Sequence, residues 1–320
     1  MTSITPLPKI ALLILIHMSE ENQRRIAAMF DFVYAPDPAS RAAMIAAAAD
    51  PAHAVHATQA VLTNGTAGLS AVEMRALPNL TLVCAQGAGV ENIDAVHAAA
   101  HGIEVANGAG TNENVVADQA LALLLAVVRA IPQFDRACRE GVWRDALPMR
   151  PQLSGKCLGV VGLGNIGQKI ARRAAAFDMQ IAYCGRSQRP DVSYPYYAHV
   201  AELAAWSDVL VLATPGGAAT RHLVSSAELK ALGPDGYLVN IGRGSVVDTA
   251  ALAQALRNGE IAGAGLDVYE SEPLPPAALL DLPNVVLSPH VAGRSPEAIN
   301  ASISAFMAHA ARHFASRGHE

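Results

Sequence analysis

Aromatic residues are scarce in this 320-residue chain, at 5%, and charged residues reach only 16%. With 52% hydrophobic residues, that balance excludes a disordered chain and describes a compact globular one. Positive charge is short as well. Lys and Arg number 23 against 28 Asp and Glu, a net charge of −5, so there is no basic surplus for nucleic acid. An anionic ligand must therefore be held by local donors. The four cysteines, Cys84, Cys138, Cys157 and Cys184, lie far apart and form no CxxC pair. They read as small buried hydrophobes in a reducing compartment, which points to the cytoplasm.

Long apolar runs are missing too. A membrane-spanning helix needs roughly 18 apolar residues. Ile10 to Ile16 is shorter, follows Pro6, Pro8 and Lys9, and precedes Glu20 and Glu21, so it reads as a buried first strand. Ala120 to Val128 is also short, bounded by Asp118 and Arg129. A helix apolar on all sides must be covered on all sides. This predicts a homodimer interface there and no membrane partner.

Length alone predicts two domains. Strands are expected at Ile10–Ile16, Val61–Leu62, Leu80–Cys84 and Ile103–Val105, with a helix over Glu21–Phe30 and alanine-rich helices between the rest. A second series starts after residue 105. Its strands are Cys157–Val161, Ile181–Tyr183, Val209–Leu212, Tyr237–Ile241, Gly263–Leu266 and Val285–Leu287. Such βα alternation implies an α/β protein with two doubly wound parallel sheets. The helix over Ala298–Phe314 falls outside the second rhythm. The economical architecture is a Rossmann cofactor domain, 106–291, inserted into a discontinuous flavodoxin-like substrate domain, 1–105 plus 292–320.

Between the strand Cys157–Val161 and the helix Gln168–Phe177 stands Gly162-Leu163-Gly164-Asn165-Ile166-Gly167. A GxGxxG in that strand–turn–helix context is the dinucleotide fingerprint. The first glycine permits the turn, the second admits the pyrophosphate, and the third lets helix and strand pack. Amides of Asn165 and Ile166 would face the phosphates. What is lacking next decides the nucleotide. The acid that holds a ribose 2′-hydroxyl lies about 20 residues further on, yet no Asp or Glu occurs between Asp178 and Asp191. Arg186 and Ser187 occupy that place, with Arg189 behind. A guanidinium forks onto a phosphate, so NADP(H) is expected over NAD(H). A solvated surface turn is the alternative reading of Arg186.

Several separated blocks resemble the D-isomer-specific 2-hydroxyacid dehydrogenases over nearly the whole chain. They are VLTNGTAGLS (Val61 to Ser70), QGAGVENID (Gln86 to Asp94), NENVVADQALALLLAVVR (Asn112 to Arg129), VNIGRGSVVD (Val239 to Asp248), GLDVYESEP (Gly265 to Pro273) and LSPHVAG (Leu287 to Gly293). Within that family the chain is similar to glyoxylate/hydroxypyruvate and hydroxyphenylpyruvate reductases, a likeness supported by PDVSYPYYAHVAEL (Pro190 to Leu203). The resemblance implies a catalytic trio of Arg243, Glu272 and His290. It also implies that Asp267 bonds the nicotinamide carboxamide, that Thr214, Pro215, Thr220 and Ile241 border the cofactor, and that Arg243 and His290 touch the substrate. Gly216-Gly217 departs from the bulkier pair usual in the family.

The chemistry of these residue types fits the implied roles. Reducing a 2-oxoacid delivers hydride to the carbonyl carbon while its oxygen gains a proton. Histidine, with an ordinary pKa of about 6.5, can supply that proton near neutrality. A neighbouring carboxylate favours the charged ring and orients it. Arginine stays charged throughout and can polarise the carbonyl and grip the carboxylate. Taken singly, each residue of the trio could be an ordinary loop side chain; the matched blocks give them meaning together. In the loop Gly87-Ala88-Gly89, the amides of Ala88 and Gly89 could hold the substrate carboxylate as an anion nest, or the loop could be a plain turn. The pairs His53/His56 and His97/His101 lack further ligands, and hydride transfer needs no metal.

The expected function is NADPH-dependent reduction of small 2-oxoacids, such as glyoxylate and hydroxypyruvate, to D-2-hydroxyacids. The alternatives are the same chemistry on hydroxyphenylpyruvate or 2-ketogluconate, or a non-catalytic nucleotide-sensing protein of the same fold.

Overall fold

Strands and helices alternate along the computed structural model, which describes residues 9–317. The chain divides into two compact units, Met1–Asn112 with Arg294–Glu320, and Glu113–Gly293.

The first unit runs β1 (Ile10–Ile14), α1 (Glu20–Ile26), β2 (Phe30–Tyr34), α2 (Pro38–Ala47), β3 (Ala60–Asn64), α3 (Ala71–Ala76), β4 (Leu82–Gln86), α4 (Ala95–Ala100) and β5 (Glu104–Asn107). All pairings are parallel, in the order β2-β1-β3-β4-β5. That is the flavodoxin-like winding. Here the sequence reading needs a correction. Phe30 does not end a helix. Ile26 closes α1, and Phe30–Tyr34 forms an edge strand against β1. Phe-Asp-Phe-Val-Tyr is rich in aromatic and β-branched residues, which suit a pleated surface better than a helix. The unit's first segment also extends to Asn112 rather than residue 105, because β5 pairs with β4 through Asn107.

The second unit runs α5 (Glu113–Val128), α6 (Ile131–Arg139), β6 (Cys157–Val161), α7 (Asn165–Ala175), β7 (Gln180–Cys184), β8 (Tyr196–Tyr197), α8 (Val200–Trp206), β9 (Val209–Leu212), α9 (Ser226–Leu232), β10 (Tyr237–Asn240), α10 (Thr249–Arg257), β11 (Gly263–Leu266) and β12 (Val285–Leu287). Its sheet, again parallel throughout, has the order β12-β11-β10-β9-β6-β7-β8. Numbered within the unit, this is 3-2-1-4-5-6-7, the dinucleotide winding with one added strand. The order reverses between β6 and β9. Alternate strand residues feed two cores. Val160, Val211 and Val239 face α5 and α7, while Leu210, Leu212 and Leu238 face α8, α9 and α10.

The apolar helix expected at a dimer interface is largely covered inside its own unit, with Ala122 exposed and Leu125 and Ala126 half-buried. Val116, Ala117, Ala120, Leu121, Leu123, Leu124, Val127 and Val128 of α5 are buried. They pack with strand residues of β6, β9 and β10 and with α7. Ion pairs Arg173–Asp118 (2.7 Å) and Lys169–Glu113 (3.8 Å) hold α7 alongside. Among the described residues, no single helix is long and apolar enough to cross a membrane.

The last helix, α11 (Pro296–Arg317), belongs to the first unit. Ile303, Phe306 and Ala310 enter the core beside Leu12, Ile14, Leu62 and Cys84, and the Phe306 ring stacks on Phe30 at 5.1 Å. Glu104 of β5 accepts hydrogen bonds from His313 Nδ1 (2.6 Å) and His309 Nε2 (2.7 Å), fixing the helix's register.

Candidate active site

Three adjacent strands of the second sheet, β10, β11 and β12, each end in one of the expected chemical groups or its support. Arg243 follows β10, Glu272 follows β11, and His290 follows β12. Carboxyl ends of strands are where open α/β sheets bind ligands.

His290 Nδ1 donates to Glu272 Oε2 at 2.6 Å, and Glu272 Oε1 accepts the Tyr269 N–H at 2.8 Å. The hydrogen bond to Glu272 pushes the imidazole pKa above its ordinary 6.5, against the opposing effect of burial. Burial would raise the Glu272 carboxyl, but His290, the Tyr269 amide and the Arg243 charge together hold it below 4.5. The pairing therefore favours the imidazolium–carboxylate form, and Nδ1 is the ring nitrogen engaged by Glu272.

The backbone of His290 is held in an uncommon conformation, φ +52°. Non-glycine residues there persist only when the surroundings over-determine them. Asp267 does this. It is 0% exposed, with Oδ1 accepting from Ser288 Oγ (2.5 Å) and the Val291 N–H (3.0 Å), and Oδ2 accepting from the Ala292 N–H (2.9 Å). Its own carbonyl accepts the His290 N–H at 2.9 Å. The side chain expected at the nicotinamide thus also frames the backbone at His290. Tyr269 adds to that frame by donating its hydroxyl to the Ser288 carbonyl. The sequence reading named Asp267 only for the nicotinamide and did not single out Tyr269; the one sign of these supports was their placement in the same short block as Glu272.

Arg243 is half-buried, with one guanidinium nitrogen donating to the Gly242 carbonyl at 2.7 Å. Asn240 braces the turn, accepting the Gly242 N–H and donating to the Arg243 carbonyl, each at 3.0 Å. The glycine pair that departs from the family pattern has a geometric reason: a Cβ at Gly216 would lie 3.1 Å from Arg243 Cγ, and Gly217 adopts φ +119°.

The glycine-rich turn fits a dinucleotide. Gly162 has φ +92°, and a Cβ at Gly167 would fall 2.1 Å from the Gly162 carbonyl oxygen, so neither tolerates a side chain. A Cβ at Gly164 would meet nothing within 4 Å, which leaves the approach to the backbone open. Helix α7 has no side-chain cap, and the amides of Asn165, Ile166 and Gly167 donate to no acceptor among the described residues. Phosphate oxygens suit such a helix start. The Asn165 side chain turns elsewhere, donating to Glu113 at 2.6 Å.

Beyond β7, Arg186 and Ser187 are exposed, and Arg186 makes no hydrogen bond or ion pair with another described residue. Arg189 does not back it up. It forks onto Asp191 at 3.1 and 2.7 Å and donates to the Leu163 carbonyl at 2.9 Å, tying this loop to the glycine turn. Of the other cofactor candidates, Ile241 is 6% exposed and sits in the core, which leaves only its backbone to touch a ligand. Thr214 and Pro215 lie just past β9, while Thr220 donates to the Pro215 carbonyl at 2.8 Å and closes that loop on itself.

In the first unit, Gly87 (φ +84°), Ala88 and Gly89 follow β4. Asn107 donates to the Ala88 carbonyl at 3.0 Å and the Gly108 N–H to the Gly87 carbonyl at 2.7 Å. The amides of Ala88 and Gly89 donate to no acceptor among the described residues, the arrangement an anion nest requires. The histidine pairs serve locally: His53 Nδ1 accepts the Val55 N–H at 3.3 Å, and the His97 and His101 rings lie tilted against each other at 3.9 Å.

A family model described as "D-isomer specific 2-hydroxyacid dehydrogenase, NAD binding domain" matches residues 121–292. Hydroxyphenylpyruvate reductase of Plectranthus scutellarioides is 42% identical over 75% of this chain and 77% of its own length. 2-Ketogluconate reductase of Gluconobacter oxydans is 42% identical over 75% of this chain and 78% of its own. Among solved structures, an NADPH-dependent glyoxylate/hydroxypyruvate reductase from Sinorhizobium meliloti, in complex with NADP and malonate, is 38% identical. It superposes with a TM-score of 0.83, covering 93% of this chain and 91% of that one.

Proposed function

The chain belongs to the D-isomer specific 2-hydroxyacid dehydrogenase family and is an oxidoreductase with an NAD-binding domain, and from that premise we propose that it reduces small 2-oxoacids such as glyoxylate and hydroxypyruvate to D-2-hydroxyacids with NADPH. The observation that carries this reading is the 2.6 Å bond between His290 and Glu272 at the carboxyl ends of β12 and β11.

When bound, the nicotinamide supplies the hydride that the substrate carbonyl carbon accepts. His290, kept protonated by Glu272, donates a proton from Nε2 to the carbonyl oxygen. Arg243 stays cationic, polarises that carbonyl and grips the substrate carboxylate. Within the first unit, the amides of Ala88 and Gly89 are proposed as an anion nest of their own, suited to a carboxylate. Oxidation runs the other way, with neutral His290 as base.

The turn Gly162, Gly164 and Gly167 and the amides of Asn165 and Ile166 would hold the pyrophosphate. Preference for NADPH rests on Arg186 and Ser187, exposed and next to the end of β7, where no carboxylate competes. Four unpaired cysteines support a cytoplasmic setting. Further support for a homodimer comes from one segment of the second unit. Ile131, Val142, Trp143 and Met149 are large, apolar and 56%, 36%, 69% and 99% exposed.

The test is the initial rate of NADPH and NADH oxidation with glyoxylate, hydroxypyruvate, hydroxyphenylpyruvate and 2-ketogluconate at matched concentrations. Turnover fastest with NADPH and a two- or three-carbon oxoacid is expected. Preference for either larger acid would move the substrate assignment to the chemistry named for the two 42%-identical relatives. No turnover with any pair, despite cofactor binding, would remove the small-oxoacid reading.

A further inference from the structure

Tyr269 to Glu272 carries two carboxylates, and the proposed chemistry uses one of them. Glu270 is held just as firmly by other partners. Its Oε1 accepts from His222 Nε2 at 2.8 Å, and its Oε2 accepts from the Thr249 N–H at 3.0 Å and the Thr249 hydroxyl at 2.7 Å. Arg221 stands 3.9 Å away. Burial would raise the Glu270 carboxyl, but these bonds and the His222 charge hold it below its ordinary range.

Both partners are themselves anchored. The His222 N–H donates to the Ser245 carbonyl at 2.8 Å, with His222 at φ +51°. Thr249 opens α10, whose first amides, Ala250 and Ala251, are capped by Asp248 at 3.1 and 3.0 Å. Asp248 also takes the Ser225 hydroxyl at 3.3 Å and lies 4.0 Å from His222 Nδ1. The loop bearing Glu270 presses on the residue after Arg243. A Cβ at Gly244 would fall 2.0 Å from the Tyr269 carbonyl carbon and 2.5 Å from the Glu270 nitrogen. Glu270 therefore fastens its loop to chain on both sides of Gly244, at His222 and at Thr249.

We propose that Glu270 is a positioning residue: clamped by His222 and Thr249, it fixes the Tyr269–Glu272 loop against Arg243–Gly244 and so sets where Glu272 meets His290. This rests on the reading of His290 and Glu272 as the proton-donating pair. Charge-assisted hydrogen bonds weaken steeply as distance and angle degrade, so a small shift of the loop changes how strongly Glu272 favours the imidazolium. The groups facing His290 are Glu272, Arg243 and Asp267; those facing Glu270 are His222, Arg221 and Thr249, with Asp248 behind His222.

The experiment titrates His290 by NMR in the full-length protein with 13C-labelled histidine, a readout independent of turnover, assigning the signal by its loss in His290→Asn. Glu272→Gln should lower the His290 midpoint most. Glu270→Ala should move it in the same direction and cut kcat on the order of tenfold, with NADPH affinity unchanged. Glu270→Gln, which loses the charge but keeps an amide that can bond both partners, should restore most of the midpoint and the rate. If Glu270→Ala does not fold, His222→Ala replaces it with the same expected direction. An unmoved midpoint in Glu270→Ala, or in His222→Ala in its place, while Glu272→Gln shifts it, would reduce Glu270 to a structural brace. Equal shifts in Glu270→Ala and Glu270→Gln would show that charge acts and position does not. An unmoved midpoint in Glu272→Gln would instead overturn the proton-donating pair, and this proposal with it.

Discussion

His290 is the residue at which shape and charge meet, since a strained backbone carries a ring whose charged form a carboxylate favours. The sign of its pH dependence follows. Its folded pKa lies above 6.5, so reduction should be fast below that folded value and fall as pH rises through it. Glu272→Gln should move this limb of the kcat profile to lower pH, and a limb that stays put would separate Glu272 from the proton step. Stability is linked to the same groups. A raised histidine adds stability that is complete below 6.5 and lost above its folded pKa; a depressed carboxylate adds stability that is complete above 4.5 and lost in acid. The pair should therefore contribute most between those two values, which urea midpoints of wild type and His290→Asn across pH would measure. Arg186 gives a second prediction. Arg186→Glu removes one charge-assisted contact, worth about 1.5–3 kcal/mol, so NADPH affinity should fall roughly 10- to 150-fold with little change for NADH. Equal loss for both cofactors in fluorescence titrations would make Arg186 a plain surface residue. Residue types and their order made these groups legible in the sequence. Orientation did not: nothing in a string of letters says that Asp267 turns inward to Ser288, Val291 and Ala292, or that Arg189 is taken by Asp191.

Among the elements, periodicity and punctuation revealed most strands of both sheets, and the glycine turn between β6 and α7 is where local sequence dictates most. Gly167 packs against the Gly162 carbonyl, so Gly167→Ala must push α7 away from β6 by a large part of the missing distance. Overpacking of this kind costs about 1–3 kcal/mol. It also moves the amides of Asn165 and Ile166, so dinucleotide affinity should drop more than thermal stability predicts. Gly164→Ala, where a Cβ meets nothing, separates the two effects: it should leave stability near wild type and weaken cofactor binding alone. Unchanged affinity in Gly164→Ala would mean that the backbone there does not approach a ligand. Strand β2 was illegible for a physical reason. It follows α1 after a three-residue turn and sits at a sheet edge, where Phe32, Val33 and Tyr34 are all half-buried, so no clean alternation marks it. Strand β8 is only two residues long and has no periodicity to read.

For the whole molecule, the surplus of apolar residues has to be covered somewhere. The sequence pointed to α5, because its apolar residues run all the way round; β10, β11, β12 and α7 of the same unit bury half of its residues and leave Ala122 exposed. Among the large apolar residues that remain uncovered, four fall in the segment 131–149, with Val72, Val96, Phe177, Leu274 and Leu280 elsewhere. Helix α6 buries no residue, and Ile131, Val142, Trp143 and Met149 face solvent together with it. A large aromatic side chain left this exposed is a natural interface anchor, because Trp buries some 150–250 Å² and is over-represented among residues that dominate binding. A second copy of the chain is the proposed cover. Sedimentation velocity at micromolar concentration should give a two-chain mass. Trp143→Asp should cost at least about 2 kcal/mol of association and shift the equilibrium toward one chain roughly 30-fold. The second tryptophan, Trp206, lies 6.1 Å from Tyr197 within the second unit, so Trp206→Phe leaves Trp143 as the only tryptophan, excited selectively over the seven tyrosines. In that background, dilution should move the emission to longer wavelength as Trp143 returns to water. A one-chain mass in the wild type, with emission independent of concentration, would show that the exposed segment is not a contact between copies.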